Sequence, residues 1–394
     1  MKTFDSKSIK AENVRLVLEK LIELRETSRV ELAKITTLTK ATISSIINEL
    51  IEKNLVVETD QIVRTGGRSA HIIALNKNSA RIISVELLTT SIYGIISNIY
   101  GEILFEVRRQ VATTEFAPYL EVLLDTIDEL KKNTHVSAYG VVGIGVSVYG
   151  ILSKEKKIKF APFVSWKDID LKSIIEDYTK VKVFVENEAN ISALGEKVLF
   201  PKSHNIVTIN IGIGVGMGII IDGSLYTGEH GFAGEVGHTI VVPNGRKCVC
   251  GNYGCLETYI SDTAIIQDYE ELSGKRITLN DFVQLYKTKD PHAVELYRSF
   301  IEKLSLAINN VCHILNPEMI VINSEIVEGI PQSISLLKNN LRAQTTRLDI
   351  LSTPEFQSQA NVLGLAHIMV QDFLNIKVYR PFQKRKKNVT DFTT

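Results

Sequence analysis

Residues 234–257 read Gly-Glu-Val-Gly-His-Thr-Ile-Val-Val-Pro-Asn-Gly-Arg-Lys-Cys-Val-Cys-Gly-Asn-Tyr-Gly-Cys-Leu-Glu. His238 is followed by Cys248, Cys250 and Cys255, three of the four cysteines in the chain. Gly251 and Gly254 lie among them, so the backbone can fold the thiolates onto one point. One imidazole and three thiolates complete a four-ligand set for a closed, structural Zn2+. The competing readings are reduced loop cysteines or a disulfide. Four protein ligands leave no open position for water, which disfavours a catalytic metal. The metal is expected to act as a staple, holding Glu235, His238 and Glu257 in fixed relation.

The chain has 394 residues, 44% of them hydrophobic, enough for two or three domains with a large core. Its 45 Lys and Arg balance 45 Asp and Glu, so no global charge marks a polyanion partner. No apolar run approaches the roughly 20 residues of a membrane span, and the first residues lack the apolar core of a signal peptide. Clustered cysteines with one left over, Cys312, suit a reducing cytoplasm better than a disulfide framework. Cys312 sits in an apolar stretch and reads as a small buried hydrophobe.

Residues 1–80 read as a DNA-binding head. Val14, Val17, Leu18, Leu21 and Ile22 recur at helical spacing. Ser28 to Glu31 is a capping box opening a second helix. After a short turn, Thr39 caps a third helix whose apolar face carries Ile43, Ile46, Ile47, Leu50 and Ile51. Its other face offers Thr39, Lys40, Thr42, Ser44 and Ser45, small polar groups able to meet phosphates and base edges in a major groove. Residues 55–75 then read as a β-hairpin wing, with Arg64 and Arg68 placed to enter a minor groove or clamp phosphates. Together these make a winged helix-turn-helix. Residues 1–78 hold thirteen Lys and Arg against ten Asp and Glu, a weak excess. A protein-binding three-helix module is the competing reading.

Residues 81–394 change character. Three strands over about 80–107, a helix at 118–132 and a buried strand at 140–146 form one cycle. Lys182 to Val185, a helix from about 188, the strand Ile206 to Ile211 and the loop Gly212 to Gly218 begin a second. This predicts duplicated α/β lobes around a ligand cleft.

On the Gly234–Glu257 motif and the winged head, the chain resembles the ROK family of repressors, open reading frames and sugar kinases. The segments Ser165 to Ser173, Glu186 to Asn190 and Leu315 to Glu318 are similar to those of xylose-operon repressors of Gram-positive bacteria. The resemblance implies a two-lobed, actin-like, sugar-kinase-like domain with a structural zinc behind the winged head. It implies a sugar site drawing on Asn187, Glu188, Glu235, His238 and Glu257, with His238 serving both zinc and sugar. It also implies palindromic operator DNA, a sugar effector (D-xylose by similarity) and a homodimer, with a tetramer left open. Trp166, the only Trp, reads equally as a sugar platform or as core.

Against the kinase branch of that family stand three departures. Where kinases carry Asp-x-Gly-Gly-Thr, this chain reads Glu86-Leu87-Leu88-Thr89-Thr90, without the glycines that let backbone approach a triphosphate. The adenosine-side glycine pair is replaced by Val321 to Glu325. Glu188 stands at the position of the Asp base, shifting the carboxylate by about 1.5 Å, and displacements of about 1 Å can cost ~10²-fold in rate. Ile213 replaces a usual hydroxyl residue in the remaining glycine loop, and Tyr149 replaces a common Pro. The chain is therefore expected to be a sugar-responsive repressor and not an enzyme. A sugar kinase with a regulatory head, and a repressor controlled by a protein partner, are the alternatives.

Overall fold

The structure, a computed structural model, describes residues 6–65, 68–134, 137–161, 166–343, 348–354 and 359–377. Gly66, Gly67 and the basic run 383–388 lie outside the described residues, as do the side chains of Arg64 and Arg68. The described chain divides into two compact units. The first holds residues 1–149, 156–186 and 365–394; the second holds 150–155 and 187–364.

The first unit opens with α1 (Ser6–Leu24), β1 (Glu26–Ser28), α2 (Arg29–Thr36), α3 (Lys40–Glu52), β2 (Val56–Thr65) and β3 (Arg68–Leu75). Ser28 Oγ accepts from the Glu31 amide at 3.2 Å, and Thr39 Oγ1 accepts from Thr42 at 3.1 Å, so both helix starts are capped by side chains. Thr37 takes a left-handed φ of 58° and turns the chain between α2 and α3. The apolar face of α3 buries Ile43, Ile46, Ile47 and Leu50. The short strand β1, which the sequence pattern does not reveal, pairs with β3 and makes a sheet of order β1-β3-β2. Lys10 and Lys53 both reach Glu49 at 2.7 Å, tying α1 to α3. These two ammonium groups hold the Glu49 carboxyl down at about 2.

The rest of the first unit comprises β4 (Arg81–Leu87), β5 (Ser91–Asn98), β6 (Ile103–Gln110), α4 (Phe116–Lys132), β7 (Val141–Val148), β9 (Ile158–Ala161), β10 (Trp166–Ile169), α5 (Leu171–Thr179) and β11 (Val183–Asn187, its last residue assigned to the second unit). β4 and β5 are buried at every position, whereas β6 alternates and covers only one face, as an outer strand must. Gly101, at φ 75°, donates to Asn98 O and closes the tight turn from β5 to β6. The sheet order is β11-β7-β4-β5-β6. The sequence reading opened a second cycle with the strand after Lys182; that strand, β11, instead completes the first sheet. The apolar run Val183 to Val185 looks the same whichever sheet takes it, so pairing is not legible locally.

The second unit holds β8 (Ile151–Leu152), α6 (Glu188–Leu199), β12 (Ile206–Ile211), β13 (Val215–Ile221), β14 (Ser224–Leu225), α7 (Glu257–Ile260), α8 (Asp262–Ser273), α9 (Leu279–Lys287), α10 (Pro291–Leu315), β15 (Met319–Asn323), α11 (Glu325–Gly329), α12 (Ser333–Asn340), β16 (Ile350–Ser352) and the start of α13 (Ala360–Leu374). Its sheet runs β14-β13-β12-β15-β16. β12 pairs antiparallel with β13 and parallel with β15. Cys312, on α10, is buried, and burial pushes its thiol up. Among the described residues, no helix is long and apolar enough to cross a membrane.

Candidate sugar and metal site

Strand β13 organises the site. On one side it meets α6 so closely that a Cβ on Gly218 would lie 2.1 Å from the Ala189 carbonyl oxygen. On the other, a Cβ on Gly237 would lie 2.2 Å from Val215 O. Only glycine permits backbone contact of this kind. The expected glycine loop of 212–218 is thus in β13 from Val215 on, and Gly218 in the strand with Gly237 in the Gly234–His238 turn lets β13 be clamped between α6 and that turn. Glu188 Oε1 lies over Gly216 on the α6 side, where a Cβ would come within 3.2 Å of it.

Asn187 caps α6. Its Oδ1 accepts from the amides of Ala189 (2.9 Å) and Asn190 (3.4 Å), and its Nδ2 donates to Gly150 O at 2.8 Å. Its amide is therefore occupied in holding the helix start and the 150 turn. Glu188, buried, follows as the first helical residue.

Beyond Gly237 the chain makes a single 3-10 turn, Val236–His238, and enters a knuckle. Isolated bridges pair Ile240 with Cys255 and Lys247 with Tyr253. Gly254, at φ 82°, sits where a Cβ would fall 1.7 Å from Val242 O. The ligand atoms of His238, Cys248, Cys250 and Cys255 all lie within 4.8 Å of one another. Cys248 Sγ is 3.5 Å from His238 Nδ1, and Cys250 Sγ is 3.6 Å from Cys255 Sγ. Donors on a tetrahedral zinc, bound at about 2.0–2.3 Å, stand about 3.5–3.8 Å apart. The donor set and the spacing fit Zn2+. Which imidazole nitrogen faces the thiols is also defined: Nδ1 does, while Nε2 lies 3.8 Å from Glu235 Oε2.

Glu257 sits against this cluster, its Oε1 3.0 Å from Cys248 Sγ and 3.3 Å from His238 Nδ1. Burial, with the hydrogen bond to Glu257 next, pushes the Cys248 thiol far up, and burial pushes Cys255 up. Burial also opposes ionisation of Cys250, but the Asn252 amide and the neighbouring sulfurs outweigh it and bring that thiol down. Burial first, and the Glu257 carboxylate second, raise the Glu235 carboxyl against the pull of His238. Negative charge is crowded at one point, which is the environment a divalent cation relieves.

The structure thus sets Glu257 against both His238 and Cys248, and Glu235 against the far side of the His238 ring. Asn187 and Glu188 lie at the start of α6, which packs on the other side of β13. Thr39, Lys40 and Ser45 are exposed and Thr42 and Ser44 half-exposed on the leading face of α3, in the first unit. Trp166 is core: it is 5% exposed, stands edge-on to Tyr119 and Phe116 at 4.8 and 5.2 Å, and donates to Thr114 O.

Sequence reasoning missed an outer clamp on the knuckle. Arg246 Nη1 meets Asp268 at 2.9 Å and donates to Thr258 O at 2.9 Å, and its guanidinium lies 4.8 Å from the Tyr259 ring centre. The Tyr259 hydroxyl accepts from the Arg246 amide at 2.8 Å. The only local signal was a basic pair just ahead of Cys248. Asp262 is a second omission. Its amide donates to Gly212 O at 2.8 Å, fixing the glycine loop to α8. Burial, and then Glu325, push its carboxyl up to about 7.

A two-unit α/β fold with a metal-ready knuckle beside a clamped glycine strand is the architecture of a sugar-kinase-like protein. The chain belongs to the ROK family, whose model matches residues 82–372. Among curated proteins it is 32% identical over 379 residues to the xylose repressor of Bacillus spizizenii, covering 94% of this chain and 98% of that one. Among solved structures it is similar to a ROK family transcriptional regulator, a homologue of the Escherichia coli MLC protein. That match has 28% identity and a TM-score of 0.77 over 93% of this chain and 96% of the other. A ROK glucokinase from Streptomyces griseus, 21% identical, shares the fold over 73% of this chain and 98% of its own, with a TM-score of 0.65.

Proposed function

We propose that the chain is a sugar-responsive transcriptional repressor of a xylose-utilisation operon, released from its operator when sugar binds. The carrying observation is the union of two features in one chain. The leading face of α3 is small, polar and solvent-open. The second unit holds the groups read as sugar-pairing, and its glycine loop is bound by the backbone amide of Asp262, an acidic residue opening α8 and near enough to Glu325 to feel its carboxylate. Such charges oppose a triphosphate, which supports a binding protein over a kinase. The similarity to the xylose repressor along nearly the full length of both chains supports the same reading.

In this reading residues 1–80 form a winged helix-turn-helix and residues 81–394 the sugar-binding body. Thr39, Lys40, Thr42, Ser44 and Ser45 meet DNA from α3, with Thr39 chiefly building the helix start, and Arg64 and Arg68 act from the wing. The operator is palindromic because two heads of a dimer read two half-sites. The protein works in the cytoplasm, where its thiols stay reduced. Asn187, Glu188, Glu235, His238 and Glu257 pair with sugar hydroxyls, and Asn187, as the cap of α6, also positions Glu188. An unpaired polar group in such a site costs about 1–3 kcal/mol, so a polyol is favoured over an apolar ligand. His238, Cys248, Cys250 and Cys255 hold a structural Zn2+, which when bound neutralises the thiolates and locks the knuckle. His238 Nε2, pointing away from the thiols, is then fixed beside Glu235 for the sugar.

Saturating D-xylose should stabilise the zinc-loaded protein by about 2.7 kcal/mol at a hundredfold excess over its dissociation constant, read as a thermal shift. A shift with a different sugar would change the effector and keep the mechanism; no shift with any pentose or hexose would remove the sugar-responsive reading. Arg68→Ala should weaken operator binding by about 1–2 kcal/mol, roughly tenfold, in a salt-dependent way. Unchanged affinity in a gel shift would exclude the wing from the interface.

A further inference from the structure

Helix α13 is continuous from Ala360 to Leu374, yet the boundary between the two compact units falls inside it, after Gly364. Its first turn, in the second unit, crosses α6 backbone to backbone. A Cβ on Gly195 would lie 2.4 Å from Ala360 O, and one on Gly364 would lie 2.5 Å from Ile191 O and 3.0 Å from Gly195 N. No side chain separates the helices at this crossing. Gly195 lies two turns along α6 from its cap, Asn187, and from Glu188, about 10–12 Å at 1.5 Å per residue.

The remainder of α13 packs in the first unit. Leu365 and Met369 lie against Gly145 and Gly143 of β7, with side-chain atoms where a glycine Cβ would come within 2.8 and 2.7 Å. Beyond this point the helix enters the head. Met369, Val370 and Leu374 share one buried cluster with Leu21 of α1, Ile47 of α3 and Ile73 of β3. The Lys377 amide donates to Glu19 Oε1 of α1 at 2.9 Å. The Phe373 ring stands edge-on to Tyr139 at 5.3 Å, and the Tyr139 hydroxyl donates to Lys53 O, just past α3, at 2.8 Å. The head is therefore not a module on a free tether, because α13 completes its core.

We propose that α13 carries the state of the sugar site to the DNA-reading head, and that Gly195 and Gly364 are the positioning residues at which α6 grips it. The inference rests on the sugar-responsive repressor reading. A sugar held by Glu188 fixes the start of α6. Side-chain contacts can absorb a small displacement by changing rotamer, but a backbone-to-backbone crossing cannot, so movement of α6 passes into α13. At its far end α13 is packed into the same core as the buried face of α3. Close-packed cores shift between discrete arrangements rather than deforming smoothly, so a small displacement there re-aims the reading face.

The test uses full-length, zinc-loaded protein, D-xylose, and a palindromic duplex that the protein selects from a randomised pool. Xylose affinity is measured by calorimetry, and duplex affinity by fluorescence anisotropy with and without xylose. In the wild type, xylose is expected to weaken duplex binding by about tenfold or more, within the usual range of allosteric coupling. Gly364→Ala should bind xylose, and the duplex without xylose, within about threefold of wild type, while its xylose response shrinks below about twofold. Because this variant strains a buried crossing, two further measurements accompany it. Glu19→Ala, at the partly exposed head end, should also diminish the response. Amide exchange in wild type should change in residues 365–374 and in α1 on adding xylose. A Gly364→Ala protein with the full response, or a responsive wild type whose exchange in α13 and α1 is unaltered, overturns the inference and leaves the repressor reading standing. A wild type whose duplex affinity ignores xylose overturns both.

Discussion

Cys250→Ser should yield protein without bound metal, and with the metal goes the response to sugar. Cys250 is the exposed member of the cluster, so its replacement removes a ligand with little loss of packing. The four donors already lie within 4.8 Å of one another, two pairs of them at 3.5 and 3.6 Å, and Gly254 and the Arg246 clamp hold the knuckle shut. What the variant loses is the cation that stabilises three crowded sulfurs beside Glu257. If free zinc exceeds its dissociation constant a thousandfold, that stabilisation is worth about 4 kcal/mol and disappears in the variant. Elemental analysis should find zinc at one per chain in wild type and none in Cys250→Ser, with a lower melting temperature. Prolonged chelation of wild type should reproduce the loss. Because Cys248 and Cys255 hold their protons tightly without metal, binding must release protons, so zinc affinity should fall as pH is lowered. Full zinc retention in Cys250→Ser would break the assignment of the ligand set.

Asp262→Asn should stabilise the protein in alkaline solution and do little in acid. The Asp262 carboxyl is pushed from 3.8 up to about 7, by burial first and by Glu325 second. Its Oδ1 has no hydrogen-bond partner among the described residues. A carboxyl raised on folding contributes fully below its unfolded pKa, near 4, where both states are protonated. That contribution is lost as pH rises through the folded value near 7, because the folded protein must then bury a charge. At 1.36 kcal/mol per unit, the wild type forfeits up to about 4 kcal/mol by pH 8 relative to pH 4. The asparagine carries no charge at either pH. Urea titrations of both proteins at pH 5 and pH 8 should show a gap that opens towards pH 8. Parallel pH profiles would mean that Asp262 ionises freely.

The elements the sequence read well are those whose cause is local. Ser28 and Thr39 cap helices whose amides lie three residues away. His238, Cys248, Cys250 and Cys255 converge because the turn and knuckle between them are short and glycine-rich. The buried face of α3 followed from a 3.6-residue period that any partner would have used. The reading failed or fell silent where the cause was distant. β11 was given to the second cycle because its apolar start, Val183 to Val185, does not say which sheet it joins. The reading was silent on what Asn187 does within the fold, where its side chain holds the start of α6 and the Gly150 carbonyl, partners that only folding supplies.

The amino-acid order by itself therefore determined the capped helices of the head and the convergence of His238 with Cys248, Cys250 and Cys255, since each is written in spacings of a few residues. Tertiary structure alone decided that β13 is clamped between α6 and the Gly234–His238 turn, that the Asp262 amide ties α8 to Gly212, and that α13 shares the buried cluster of the head. Glu19 and Lys377 meet across 358 positions of chain. No periodicity encodes such a contact. It exists because the head leaves an apolar face that water disfavours, and the surface that covers it is a helix from the far end of the sequence.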